Sequence, residues 1–153
     1  MKKIIIILLA VVLLPLAVKA EKVDLGECSL SNMEGQEVKL SDYKGKPVVL
    51  WFWTTWCPYC RRAIPELNNI YPQLKLEGIQ LLAVNVEESR EKVMKFTDSY
   101  PIDFDILQDK EGQCASLFGV LGLPTYILID REGNLRFKHN YFPKKAYKGL
   151  LLN

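Results

Sequence analysis

Histidine is nearly absent from this chain: 153 residues hold one, His139. Metal-ligand clusters are scarce for the same reason. The four cysteines include one Cys-x-x-Cys, and no second such pair or Cys/His pair exists to complete four zinc ligands, so a zinc knuckle is excluded. Charge of one sign is also lacking. There are 20 Lys and Arg against 18 Asp and Glu, and three of the basic residues, Lys2, Lys3 and Lys19, fall in the first 20 positions. The remainder is close to neutral and carries no basic stripe, so no nucleic-acid partner is expected. Repeats, linkers and low-complexity tracts are absent after residue 20, and the length suits one domain with a single core.

The N-terminus is compositionally separate. Met1-Lys2-Lys3 is a basic start, Ile4 to Leu14 is an unbroken apolar run, and Val18-Lys19-Ala20 offers a small residue before a cut. This pattern predicts an export signal over residues 1–20, cleaved after Ala20, with residues 21–153 as the folded domain. The rival reading is an uncleaved membrane anchor. Against it, Ile4 to Val18 falls short of the about 20 apolar residues a span needs, and Pro15 interrupts it. A lipid-anchored cysteine is disfavoured because Glu27 precedes Cys28 where a small residue is needed. The expected location is periplasmic or otherwise extracytoplasmic, an oxidising place for four cysteines.

The chemistry concentrates at Trp56-Cys57-Pro58-Tyr59-Cys60. A dense apolar run, Pro47 to Trp53, precedes it and a helix-compatible segment follows. Two cysteines three apart at a strand-to-helix junction suit dithiol–disulfide exchange. The first sulfur sits where unpaired N–H groups and the helix dipole favour a thiolate. The second lies one turn on and can resolve a mixed disulfide. Cys57 and Cys60 are therefore read as a redox-active pair. Arg61 and Arg62 add positive charge nearby; they either lower the Cys57 pKa or form a solvated face. Cys28 and Cys114 stay open between a second disulfide and two buried thiols.

The rest of the chain reads as alternating elements. A hairpin is predicted over Cys28 to Leu40, with Asn32 to Gln36 turning, and a helical turn or loop over Ser41 to Lys46. Buried strands are predicted over Pro47 to Trp53 and Ile79 to Val86. Between them, Ile64, Leu67, Ile70 and Leu74 mark a helix from Cys57 to Leu76, with a kink expected at Pro65. Ser89 caps a helix from Arg90 to about Tyr100, with Val93, Met94 and Phe96 inward. A short strand over Phe104 to Leu107, a short helix over Gln113 to Phe118, strands over Pro124 to Ile129 and Leu135 to Lys138, and a last helix over Pro143 to Leu152 follow. This order implies an α/β fold with a central mixed sheet flanked by helices and an N-terminal hairpin.

Three stretches together resemble the thioredoxin superfamily, specifically its exported TlpA/ResA-like branch. They are Gly45-Lys46-Pro47-Val48-Val49-Leu50-Trp51-Phe52-Trp53-Thr54-Thr55-Trp56-Cys57-Pro58-Tyr59-Cys60, Ala83-Val84-Asn85-Val86-Glu87-Glu88-Ser89 and Gly122-Leu123-Pro124-Thr125-Tyr126-Ile127-Leu128-Ile129-Asp130. The likeness runs from about Cys28 to Pro143 and implies a thioredoxin fold. It implies that Cys57 attacks, Cys60 resolves and Pro124 is a cis proline beside the sulfurs. It also implies that Trp56, Leu123, Pro124 and Thr125 meet the substrate. The implied activity is an exported thiol–disulfide oxidoreductase that reduces disulfides of selected extracytoplasmic proteins, for example in cytochrome c maturation, with electrons from a membrane thiol donor. A monomer without a cofactor is expected.

Two positions depart from the family. Thioredoxins place a buried acid where Trp51 stands, and many TlpA/ResA-like chains have a glutamate where Ala63 stands. Glu66 lies about 180° around the helix from Cys57 and does not replace it. Glu88, in a turn after a central strand, is the remaining candidate proton acceptor. Cys-Pro-Tyr-Cys also occurs in glutaredoxins, but their glutathione-binding elements are missing here, and a peroxiredoxin needs a proline at position 50, which is Leu50. A copper- or haem-handling binding module is the alternative from another class. Its copper relatives separate their cysteines by three residues and add a distal histidine, whereas here the spacing is two and His139 reads as an exposed polar residue. An interaction protein with an inert Cys57–Cys60 bridge is a further alternative; it predicts no alkylation of Cys57 at neutral pH.

Overall fold

The computed structural model describes residues 25–152, so the predicted signal over residues 1–20 lies outside the described residues. A 3-10 turn at Leu25–Glu27 leads into β1 (Ser29–Asn32) and β2 (Glu37–Lys39). They form the expected antiparallel hairpin, with Leu30 opposite Val38. Asn32 closes the turn: its Oδ1 accepts from Glu34 N–H at 3.1 Å and Gln36 N–H at 2.8 Å. The segment predicted as a helical turn is a 3-10 helix at Leu40–Tyr43.

Strand β3 (Val48–Trp53) is buried along its whole length. That explains the unbroken apolar run: a central strand has no wet face on which to alternate polar residues. Val49, Trp51 and Trp53 face one core, and Val48, Leu50 and Phe52 face the other. Helix α1 (Pro58–Leu76) follows and continues past both Pro65 and Pro72. It buries Cys60, Ile64, Leu67 and Leu74. Each of the three large apolar side chains contributes on the order of 1.5–3 kcal/mol by leaving water.

Strand β4 (Gln80–Val86) lies parallel to β3, with Trp53 opposite Asn85. Helix α2 (Arg90–Thr97) starts at Ser89, whose hydroxyl accepts from Lys92 N–H at 3.3 Å. It ends three residues before the predicted limit. Tyr100 precedes Pro101, a setting that disfavours helical backbone. Val93 is buried and Phe96 packs on Trp53 at 5.4 Å, but Met94, read as inward, is 49 % exposed. One buried stripe suffices on this two-turn helix, and Met94 lies outside it.

Strand β5 (Asp105–Asp109) is parallel to β4 and antiparallel to β1. Helix α3 (Gln113–Leu117) precedes β6 (Thr125–Ile129), which is antiparallel to β3, and β7 (Leu135–His139) pairs with β6. The last helix, α4 (Tyr147–Leu151), is shorter than predicted. Its residue Tyr147 donates to Glu77 Oε2 at 3.0 Å, tying the C-terminal segment to the end of α1. The single seven-stranded sheet runs β2-β1-β5-β4-β3-β6-β7, mixed in direction, with helix-covered cores on both faces.

Candidate active site

Cys57 is the N-cap of α1, with φ −77° and ψ 112°. Pro58 occupies the first helical position, where a missing N–H costs nothing and the ring pre-sets φ. The chain thereby turns the Cys57 side chain back over the first turn, and Sγ accepts the Cys60 N–H at 3.2 Å. One of the orphan donors of the helix start is spent on this sulfur. Cys57 and Cys60 are joined as a disulfide. Of the four cysteines only Cys57 keeps any exposed surface, 3 %, against 0 % for Cys28, Cys60 and Cys114.

The surroundings are asymmetric. Trp56 is 64 % exposed and Tyr59 67 %, so the two large side chains that bracket Cys57 in the sequence stand in solvent. Arg62 lies over the Tyr59 ring at 5.5 Å. Beneath them the site is apolar. Cys57, Cys60, Trp51 and Trp53 share one core cluster, and the two indoles stack at 5.3 Å. Trp51 is fully buried, and neither its indole N–H nor that of Trp53 has a hydrogen-bond partner.

The Leu123–Pro124 bond is cis. Because β6 runs antiparallel to β3, with Phe52 opposite Thr125, Pro124 sits at the end of the sheet from which the cysteine loop departs. Leu123 packs against the cluster that holds the cysteines. Thr125 is buried and donates its hydroxyl to Gly122 O at 2.6 Å. Thus Trp56, Cys57, Cys60, Leu123, Pro124 and Thr125 gather at one end of the fold.

Glu88 is buried in the turn after β4, and its hydrogen bonds go to no cysteine. Its carboxylate accepts from Thr55 N–H at 2.7 Å, Thr55 O–H at 2.7 Å and Asn85 Nδ2 at 2.8 Å, and pairs with Lys92 at 2.6 Å. Burial alone would push this carboxyl up. The bonds from Lys92, Asn85 and Thr55 outweigh it and hold the group below the ordinary glutamate value. A carboxylate so stabilised is a weak base. Sequence reasoning missed Thr55, Asn85 and Lys92 as its partners. The usable signal was Asn85, a polar residue next to the end of a strand whose other buried positions, Leu81 to Val84, are apolar.

A second charged contact braces the loop before Pro124. Lys138 of β7 donates to Phe118 O at 2.7 Å and Gly119 O at 2.6 Å, the carbonyls that end α3. Cys28 and Cys114, left open by the sequence, are joined as a disulfide with Cα atoms 5.0 Å apart. His139 pairs Nδ1 with Asn140 Oδ1 at 2.6 Å and packs against Tyr141 with ring centroids 4.3 Å apart and planes tilted by 53°. Among the described residues no three His, Cys, Asp or Glu side chains converge on a point where a metal ion would fit.

A thioredoxin fold with an N-capped vicinal cysteine pair beside a cis-proline loop defines the class, a dithiol–disulfide protein. Sequence comparison narrows it: the chain belongs to the AhpC/TSA family, which it matches over residues 22–138, and within it to the ResA-like members. It is 43 % identical over 107 residues to the thiol-disulfide oxidoreductase ResA of Geobacillus thermodenitrificans, covering 70 % of this chain and 62 % of that one. To ResA of Bacillus thuringiensis subsp. konkukian it is 36 % identical over 121 residues, covering 76 % of this chain and 70 % of the relative. The chain thus spans under two thirds of the first relative's length and slightly more of the second's. A solved structure from Chlorobium tepidum, assigned as the thiol:disulfide interchange protein DsbE, superposes with a TM-score of 0.74 at 36 % identity, over 87 % of this chain and 96 % of that one.

Proposed function

We propose that the chain is a thiol–disulfide oxidoreductase that reduces disulfides of extracytoplasmic proteins. The observation that carries this reading is the Cys57 sulfur at the helix N-cap, taking the Cys60 N–H at 3.2 Å. In the reduced protein the same N–H and the helix dipole favour a Cys57 thiolate. That thiolate attacks one sulfur of a partner's cystine. The partner S–S bond breaks, a Cys57–partner disulfide forms, and the departing partner thiolate takes a proton. Cys60 then gives up its proton and attacks the Cys57 sulfur, which closes the Cys57–Cys60 disulfide and releases the second partner thiol. Two electrons pass to the partner, whose two thiolates take one proton from Cys60 and one from solvent, and an external dithiol must restore the pair.

Trp56 and Tyr59 supply exposed rings for the partner, and the Leu123 to Thr125 segment supplies backbone beside them. The likeness to ResA favours a role in cytochrome c maturation, with a membrane thiol donor resetting the pair and residues 1–20 directing export. The protein acts as a monomer in this reading. The deciding experiment is the reduction potential of the Cys57/Cys60 couple together with turnover of a disulfide-bonded protein substrate. A potential near roughly −270 mV supports the reductant reading, and one near about −120 mV makes the chain an oxidant. Cys57→Ala removes turnover and the labelling burst at neutral pH; turnover that survives this substitution overturns the proposal.

A further inference from the structure

The loop that carries Cys57 has little to hold it from within. Between the end of β3 and the start of α1, its internal backbone bond is Cys57 N–H to Thr54 O, long at 3.4 Å. Such a bond is near the geometric limit and contributes little. The strong restraint comes from Glu88, 33 residues further on, which takes both the N–H and the O–H of Thr55 at 2.7 Å. Both are bonds to a charge, the stronger kind. The carboxylate is itself held by Asn85 and Lys92, and its side chain is 3 % exposed. The turn is built to send it inward. Its neighbour Glu87 adopts φ 53°, a left-handed setting that L side chains rarely take, while Glu87 N–H is fixed to Asp109 O at 3.0 Å and the Glu88 carbonyl accepts from Gln108 Nε2 at 3.4 Å.

We infer that Glu88 is a positioning residue for the Cys57 thiolate: by fixing the Thr55 peptide it delivers Cys57 to the N-cap setting in which its sulfur takes the Cys60 N–H. This rests on the dithiol reading above and gives Glu88 a role other than proton acceptor. The Glu88 carboxylate is bonded to Thr55, Asn85 and Lys92 and to neither sulfur, so it acts through the Thr55-Trp56-Cys57 backbone. Removing it frees the loop, weakens the sulfur's hold on the Cys60 N–H and raises the thiolate pKa. The reduced form then loses stabilisation and the couple becomes more reducing. Losing the Glu88 charge alone has the opposite sign, because a nearby negative charge disfavours a thiolate.

The test measures the rate of Cys57 alkylation by iodoacetamide against pH on the reduced full chain, with the reduction potential and thermal midpoint alongside. Glu88→Ala is expected to move the alkylation midpoint up by about one pH unit, within the range by which helix N-termini shift thiol pKa values. Glu88→Gln, which keeps one acceptor oxygen, moves it up by less. Thr55→Val loses the hydroxyl bond but keeps the charge, and moves it up by a few tenths of a unit; if Glu88→Ala does not fold, these two variants carry the test. An unmoved midpoint and potential beside a lowered thermal midpoint reduces Glu88 to a structural residue and overturns the inference. A downward shift overturns it as well, leaving only a charge effect. Absence of any Cys57 labelling in the unsubstituted protein instead defeats the dithiol reading.

Discussion

The two disulfides of this chain differ in almost every physical respect. Cys28–Cys114 closes a sequence separation of 86 residues, and both cysteines are sealed from solvent. It ties the start of the N-terminal hairpin to α3, inside the core on the face opposite the dithiol. Cys57–Cys60 closes a separation of three, at a helix start, with one sulfur already taking a backbone N–H and two exposed aromatic rings beside it. A long loop and complete burial make a crosslink; a short loop, a thiolate-favouring N-cap and a partner-facing edge make an exchange site. The amino acid is the same, so the backbone around each sulfur sets the role.

The comparison breaks most decisively by removing each bridge in turn. Loop-closure entropy assigns about 4–5 kcal/mol to the separation of 86 and about 1–2 kcal/mol to the separation of three. Cys28→Ala with Cys114→Ala is therefore expected to lower the denaturant midpoint far more than Cys57→Ala with Cys60→Ala, yet to leave the pH midpoint of Cys57 alkylation in place. Equal losses of stability from the two double variants would sink the distinction drawn here.

Acid sharpens it further. Glu88 sits behind the exchange site and Asp130 closes the β6–β7 turn. In both, burial pushes the carboxyl up and hydrogen bonds more than offset it, so each titrates below its ordinary value of 4.5 or 3.8. A carboxyl lowered in the folded state contributes stability above its unfolded pKa and loses it as pH falls through the folded pKa. The thermal midpoint is expected to hold from pH 7 to about pH 5 and to fall below about pH 4.5. Glu88→Gln should remove part of that acid slope; an unchanged slope assigns it to other carboxyls.

The smallest expected effect is at Lys138, which braces the loop before Pro124 from the edge strand. Lys138→Met leaves the Phe118 and Gly119 carbonyls to water at a cost of about 1 kcal/mol. Faster amide hydrogen exchange over residues 119–123, with the Cys57 midpoint unmoved, is the expected signature. A shift at Cys57 would mean that the two loops are coupled rather than separately held.

Much of this was legible beforehand because it is local. The apolar run from Pro47 to Trp53, with its β-branched and aromatic members, favoured a buried strand, the spacing of Ile64, Leu67, Ile70 and Leu74 a helix, and Cys57-Pro58 a helix start. Ser89 as a cap and the Asn32 to Gln36 turn are also local decisions, made by side chains within a few residues of the backbone they satisfy. Met94 was misread for the same reason: periodicity gives a stripe, and only the packing partner fixes how wide it is.

The sequence by itself determined the strands, helices and caps and the placement of a dithiol at a helix N-terminus, because hydrogen bonds and burial over short separations fix those. It did not determine that Cys28 meets Cys114, that Glu88 turns inward to grip Thr55, or that Lys138 reaches the Phe118 and Gly119 carbonyls just past α3. Those contacts join residues 19 to 86 positions apart. They exist only once the sheet order sets β1 beside β5, β4 beside β3 and β7 beside β6, since the direction of a charged or thiol side chain depends on partners that another element supplies.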